Sequence, residues 1–292
     1  MVGRLHSAWM AALCLSGCAA IPSLPAERSS FDVDFAVKRI RVWTYLPSGA
    51  GPDSRVVFVL HDVLRNGEEY REPWILIADR HGCVVLVPEY SNAEWPGARS
   101  YNDGNMHDER GDPLPEEAWT FTSIDAVVDA FQARSGNRTG RYFIFGRSAG
   151  GQFLHRMILM KPAARFEIAV PANSGAYATS ALEAERPYGL KGTRSTAERL
   201  KASLERRVVV LLGENDVDPN DRYLPRAKEA MAQGEHRFAR GKRFFAAARE
   251  AAARLGADFG WTLQTVPGVG HDDKLMAPAA ARIFFETPAG QK

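Results

Sequence analysis

The chain has 292 residues, 45% hydrophobic and 25% charged, which describes a globular protein with an ample core and excludes a disordered one. Its formal net charge of +2 is too small to attract a polyanion. No basic stretch is interleaved with aromatic residues, so nucleic acid is not an expected partner.

The first residues read as a targeting segment. Arg4 supplies a positive start, Ala8–Leu15 an apolar run, and small residues follow; residues 1–17 are therefore expected to be a signal peptide, too short to span a bilayer. Leu15-Ser16-Gly17-Cys18 has the pattern of a bacterial lipobox, which makes Cys18 the expected lipid anchor. Cleavage after Ala20 is the alternative. Ala19, in place of an aspartate, points to the outer membrane of a Gram-negative cell; a periplasmic or secreted protein is the alternative. Residues 18–30 are read as a tether and 31–292 as one catalytic domain. Of the 3 cysteines, Cys14 leaves with the signal and Cys18 is the anchor. Cys83 then has no disulfide partner and reads as a buried small hydrophobe.

The mature chain opens with two alternating runs, Phe31–Phe35 and Ile40–Leu46, expected as antiparallel strands. Val56–Leu60 is continuously apolar, the pattern of a strand buried on both faces. A polar loop, His61–Gly67, leads to a helix over Glu69–Arg80, and Cys83–Val87 is the next buried strand. The long loop Pro88–Glu116 carries Trp95 and Tyr101. Loops of this length inside a compact domain are usually functional, and these two aromatics are expected to line a substrate cleft. A helix over Glu117–Ala133 and a strand ending at Gly146 follow. The next strand is Phe166–Val170, and residues 171–206 are expected as an insertion near the mouth of the site. Val208–Leu212 is a further buried strand, 224–255 a long helix, Trp261–Val266 the last strand and Lys274–Phe285 the closing helix. Strands alternating with helices give a mostly parallel sheet covered on both faces. In such a sheet, active residues lie just past the carboxyl ends of the strands.

Those positions hold the reactive side chains. Gly146-Arg147-Ser148-Ala149-Gly150 is a G-x-S-x-G segment between a strand and a helix, the setting of a nucleophile elbow. Side chains at the flanking glycines would collide with the neighbouring chain. A serine hydroxyl needs a base, and the base needs a partner that fixes its tautomer. His271, beyond the last strand, is the expected base. Asp216, beyond Val208–Leu212, is the expected acid, with Asp218 the alternative. The N–H groups of Ala149 and Val63 are the expected oxyanion donors. Asp62 sits where a carboxylate would repel the developing oxyanion, so its side chain should turn away and accept backbone N–H bonds. His61 is expected to brace its loop. Asp216-x-Asp218-x-Asn220 opens like a calcium loop, but Asp221 stands in place of glycine at its sixth position and Ala227 in place of glutamate at its twelfth. No metal and no organic cofactor are expected.

With these residues assembled, the chain resembles α/β-hydrolases, and more narrowly bacterial proteins similar to poly(3-hydroxybutyrate) depolymerases and feruloyl esterases. The carrying segments are His61–Asn66 with Tyr70 and Trp74, Trp95–Asn102, Gly146–Gly151 and Gly213–Pro219. Gln233-Gly234 with Arg237 and Arg240, and Val266–His271, complete the set. The resemblance implies an α/β-hydrolase fold and a serine esterase working through an acyl-enzyme. Its substrates would be polyhydroxyalkanoate, feruloyl, acetyl or other small or polymeric esters. A peptidase on the same scaffold and a non-catalytic surface binding protein are the rival readings.

Overall fold

The apolar runs pair into one eight-stranded sheet in the computed structural model, which describes residues 26–286. Its strands are β1 (Glu27–Phe35), β2 (Lys38–Leu46), β3 (Val56–Leu60), β4 (Val84–Glu89), β5 (Tyr142–Arg147), β6 (Phe166–Ala172), β7 (Val208–Gly213) and β8 (Trp261–Val266). They lie in the order β1-β2-β4-β3-β5-β6-β7-β8. β1 pairs antiparallel with β2, and β2 with β4; from β4 through β3 to β8 all neighbours are parallel. Every residue of β3, β5 and β7 is buried, as continuous hydrophobic runs require when both faces are covered.

The helices are α1 (Gly67–Arg71), α2 (Ile75–His81), α3 (Gly97–Ser100), α4 (Ser123–Ser135), α5 (Ala149–Met160), α6 (Ala197–Leu204), α7 (Lys228–Met231), α8 (Arg237–Leu255) and α9 (Asp273–Phe285). α4, α5 and α8 cover one face, packing Val127, Phe153 and Phe244 into a core with Phe58 and Ile144. α2 and α9 cover the other, where Ala78, Met276 and Phe284 meet Val57, Phe143 and Val209. The sheet thus forms the middle of a three-layer α/β domain.

Several expected boundaries move for local reasons. Residues 27–30 are not tether but the first four residues of β1, with Ser29 opposite Thr44 and their hydroxyls 2.8 Å apart. The helix expected over 69–80 is broken by a 3₁₀ turn at Glu72–Trp74, because Pro73 cannot continue the helical hydrogen-bond ladder. The helix expected over 224–255 is divided at Gly234 (φ +147°). The stretch 171–206 is narrower as an insertion than expected. Pro171 and Ala172 finish β6, α6 packs on the domain, and the irregular chain between them reaches the cleft through Gly175, Ala176, Pro187 and Tyr188. The signal peptide, the anchor Cys18 and most of the expected tether lie outside the described residues. Cys83 is buried and unpaired, and burial pushes its thiol up to about 12.

Candidate active site

β5 ends in the elbow. Ser148 has φ 56° and ψ −117°, a region costly for a residue with a Cβ, at an estimated 1–3 kcal/mol. The turn closes only because its neighbours are glycines. A Cβ on Gly146 would lie 2.4 Å from the Gly150 carbonyl oxygen, and one on Gly150 would lie 2.3 Å from that of Leu60. Ala149 begins α5, so its N–H is among the first-turn donors without an intrahelical acceptor.

Three residues distant in sequence meet there. His271 Nε2 lies 3.1 Å from Ser148 Oγ, and His271 Nδ1 lies 2.7 Å from Asp216 Oδ2. Asp216 is 3% exposed, whereas Asp218 is exposed and accepts the Asn220 N–H of its own loop. Two residues hold the Asp216 carboxylate in place. Asn173 Nδ2 donates to Oδ2 at 2.8 Å, and Arg237 Nη1 stands 3.5 Å from Oδ1. Asn173 also accepts the Gly213 N–H at 2.9 Å, fixing the end of β7. Sequence reasoning missed Asn173, although it lies one residue past a strand end. Burial pushes the His271 imidazole below its usual value; the bond to Asp216 opposes this, and Arg147 adds to it. The imidazole is therefore neutral at neutral pH and free to accept a proton.

The loop after β3 behaves as expected. Asp62 turns its carboxylate to the Leu64 N–H at 2.8 Å and to Arg147 Nη2 at 3.3 Å. Val63 and Ala149 line the same cleft as Ser148, a space of about 420 Å³. His61 is fully buried, and burial pushes it down to about 4. Its Nδ1 donates to the Asp62 carbonyl and its Nε2 accepts the Tyr90 N–H, each at 2.9 Å. It is a neutral brace between two loops at the rim.

Trp95 and Tyr101 do not line the cleft. Both are 0% exposed; Trp95 packs edge-on against Tyr90, and the Tyr101 hydroxyl donates to the His61 carbonyl at 2.7 Å. They belong to the same core as Phe58 and Phe153, which buries their rings, and Trp95 Nε1 donates to the Arg39 carbonyl at 3.3 Å, so both polar tips are satisfied. The loop itself does reach the cleft, through Asn92, Gly97, Ala98, Asn102 and Asp103. Arg65, also unforeseen, lies over the Tyr101 ring and donates to the carbonyls of Tyr90 and Gly97. Among the described residues no group of three or more His, Cys, Asp or Glu side chains could hold a metal ion.

No protein-family model matches the chain, and no curated protein matches it. Among solved structures, it is similar to poly(aspartic acid) hydrolase-1 from Sphingomonas sp. KT-1. The two are 40% identical over 89% of this chain and 99% of that one, with a TM-score of 0.87. The chain belongs to the α/β-hydrolase esterases. LpqC, a poly(3-hydroxybutyrate) depolymerase from Bordetella parapertussis, is 36% identical over 91% of this chain and 92% of its own, at TM-score 0.86. An S-formylglutathione hydrolase from Agrobacterium tumefaciens, 15% identical over 90% of this chain and 97% of its own, shares the fold at TM-score 0.57. Within this esterase fold, the outlying residues of the family resemblance hold the acid and the chain segments around the cleft. Arg237 joins Asp216 to Asp221, Gln233 clamps the Tyr177 backbone from both sides, and Arg240 ties Gly175, Pro225 and Gly234 together.

Proposed function

We propose that the protein hydrolyses carboxylic esters through an acyl-enzyme on Ser148. His271 takes the hydroxyl proton as Oγ attacks the ester carbonyl, and Asp216 stabilises the imidazolium and fixes its tautomer. The N–H groups of Val63 and Ala149 receive the oxyanion. His271 returns the proton to the leaving alcohol; it then deprotonates the water that releases the acid and restores Ser148. The observation that carries this reading is the unbroken relay of 3.1 and 2.7 Å from a strained serine through a neutral imidazole to a buried carboxylate. The names of the two relatives extend it to polymeric substrates, polyesters in one case and poly(aspartic acid) in the other.

The poly(aspartic acid) hydrolase also favours a second reading, because its polymer is joined by amide bonds. A panel of p-nitrophenyl esters, 3-hydroxybutyrate oligomers and aspartate oligomers separates the two. The proposal expects ester turnover that Ser148→Ala abolishes. Turnover of the aspartate oligomers alone establishes the amidase instead.

The N-terminal pattern supports a further reading of the same protein as exported and anchored in the outer membrane through a lipid on Cys18. Palmitate labelling of expressed full-length protein, lost in Cys18→Ala, tests it.

A further inference from the structure

Beside the catalytic cleft lies a second cavity of about 260 Å³, sharing Asp103, Arg156 and Pro187 with it. Its floor is apolar, made by Met106, Met160 and Ala178, all buried. Its remaining walls carry Arg99, Arg156 and Arg186. Their countercharge is thin. Asp103 lies 3.3 Å from Arg156 Nε. Glu109 lies 3.9 Å from Arg99 with its own side chain 89% exposed, and the Arg186 guanidinium donates to the Gly111 carbonyl at 3.4 Å. Arg99 also donates to Asn105 Oδ1 and to the His107 carbonyl. His107, in the same wall, is pushed below its usual value by burial and adds no charge at neutral pH.

Arg156 has an unusual position for a cation. It sits on the buried side of α5, 2% exposed, bonded to the carbonyls of Gln152 and Pro187, while its buried Nε has no hydrogen-bond partner despite the nearby Asp103. A guanidinium withdrawn from water in this way is costly unless paired. Arg156 follows Ser148 by eight residues on the same helix, but its guanidinium turns back to the Gln152 carbonyl, so it lines the catalytic cleft as well as the second cavity.

We propose that this second cavity is a substrate subsite for a carboxylate. An apolar arm of the ester lies on the methionine floor, and its anionic end or side group is taken up by Arg99, Arg156 and Arg186. The substrate class is thus an ester bearing a remote carboxylate, as an oligomer with a free acid end or acidic side groups does. This inference rests on the proposed esterase reading.

Two matched ester series test it, with the acyl arm or the alkoxy arm ended by a carboxylate or by its methyl ester, at spacers from succinate to sebacate. The intact protein should prefer the carboxylate by about tenfold in kcat/KM, in one series, and only at spacers long enough to reach Arg156. Arg99→Gln with Arg186→Gln should collapse that ratio. Equal rates for free and capped esters at every length, or a preference that survives both substitutions, overturn the subsite. Calorimetric titration with free suberate reads it without turnover. Binding should be seen with the intact chain and lost in the double variant, and no binding to the intact chain also overturns it. Failure of every ester, acetate included, with suberate still bound, counts against the esterase reading and not against the subsite.

Discussion

Arg147 Nε lies 3.6 Å from Asp273 Oδ1, joining the residue before the nucleophile to the residue two beyond the imidazole. The same guanidinium donates to the Tyr70 hydroxyl at 2.6 Å and reaches Asp62 at 3.3 Å. One side chain therefore ties the elbow, the loop after β3, α1 and the start of α9. Burial opposes its charge, yet the oxygens of Tyr70, Asp273 and Asp62 together raise its pKa. Arg147→Met leaves two largely shielded carboxylates, Asp62 and Asp273, without their cation. The expected loss is about 3–5 kcal/mol in denaturant unfolding.

The pH profile follows from His271. Its pKa lies below the usual 6.5 because of burial first, with Arg147 pushing the same way. Ester turnover requires the neutral ring. The kcat/KM profile should therefore be flat at neutral pH and fall on the acid side with a midpoint below 6.5. In Arg147→Met that midpoint should move to higher pH. Initial rates across a pH series read both, and a wild-type midpoint above the usual histidine value contradicts the account.

Asp273 makes a separate statement about stability. Burial, against the pull of Arg147, pushes its carboxyl from 3.8 up to about 6. A raised folded value means that its stabilising contribution is complete below the unfolded pKa and is lost as pH rises through about 6. Asp273→Asn has no such loss. Its stability relative to wild type should rise by something on the order of 3 kcal/mol between acid and neutral pH. A difference that does not change with pH in urea unfolding contradicts this.

The β1–β2 hairpin should be open to improvement. Phe35 pairs with Lys38 across Ala36 and Val37, which have φ 47° and 60°. Two left-handed residues in a two-residue turn suit Asn-Gly, and a β-branched residue there is strained. Ala36→Asn with Val37→Gly should raise the Tm, by an amount equivalent to about 1–2 kcal/mol.

What the sequence made legible was whatever local chemistry writes directly. Val56–Leu60 and Val208–Leu212 are apolar without a break because both faces are covered. The elbow announces itself because only glycine fits beside Leu60 and Ala172. His271 and Asp216 could be placed because each follows a strand end. Trp95 and Tyr101 were misplaced because an aromatic in a long loop looks the same over a ligand or folded back into the main core. Arg156 left no signal, being a cation on an otherwise apolar helix face whose neighbours come from residues far away in the chain. The hairpin turn was equally silent, since Ala36-Val37 lacks the residues that such turns prefer.

Tyr101 turns that correction into a prediction. Its hydroxyl is buried against the His61 carbonyl, so Tyr101→Phe should lower stability by about 1–3 kcal/mol and leave the order of preferred acyl chains unchanged. Thermal unfolding beside a chain-length series checks both halves.

The central claim is that His271 activates Ser148, and covalent trapping tests it most directly. Intact protein treated with a fluorophosphonate and digested should carry one adduct, on the peptide containing Ser148, and His271→Ala should slow its formation by several orders of magnitude. An adduct on another residue, or labelling at the same rate without His271, would contradict the account.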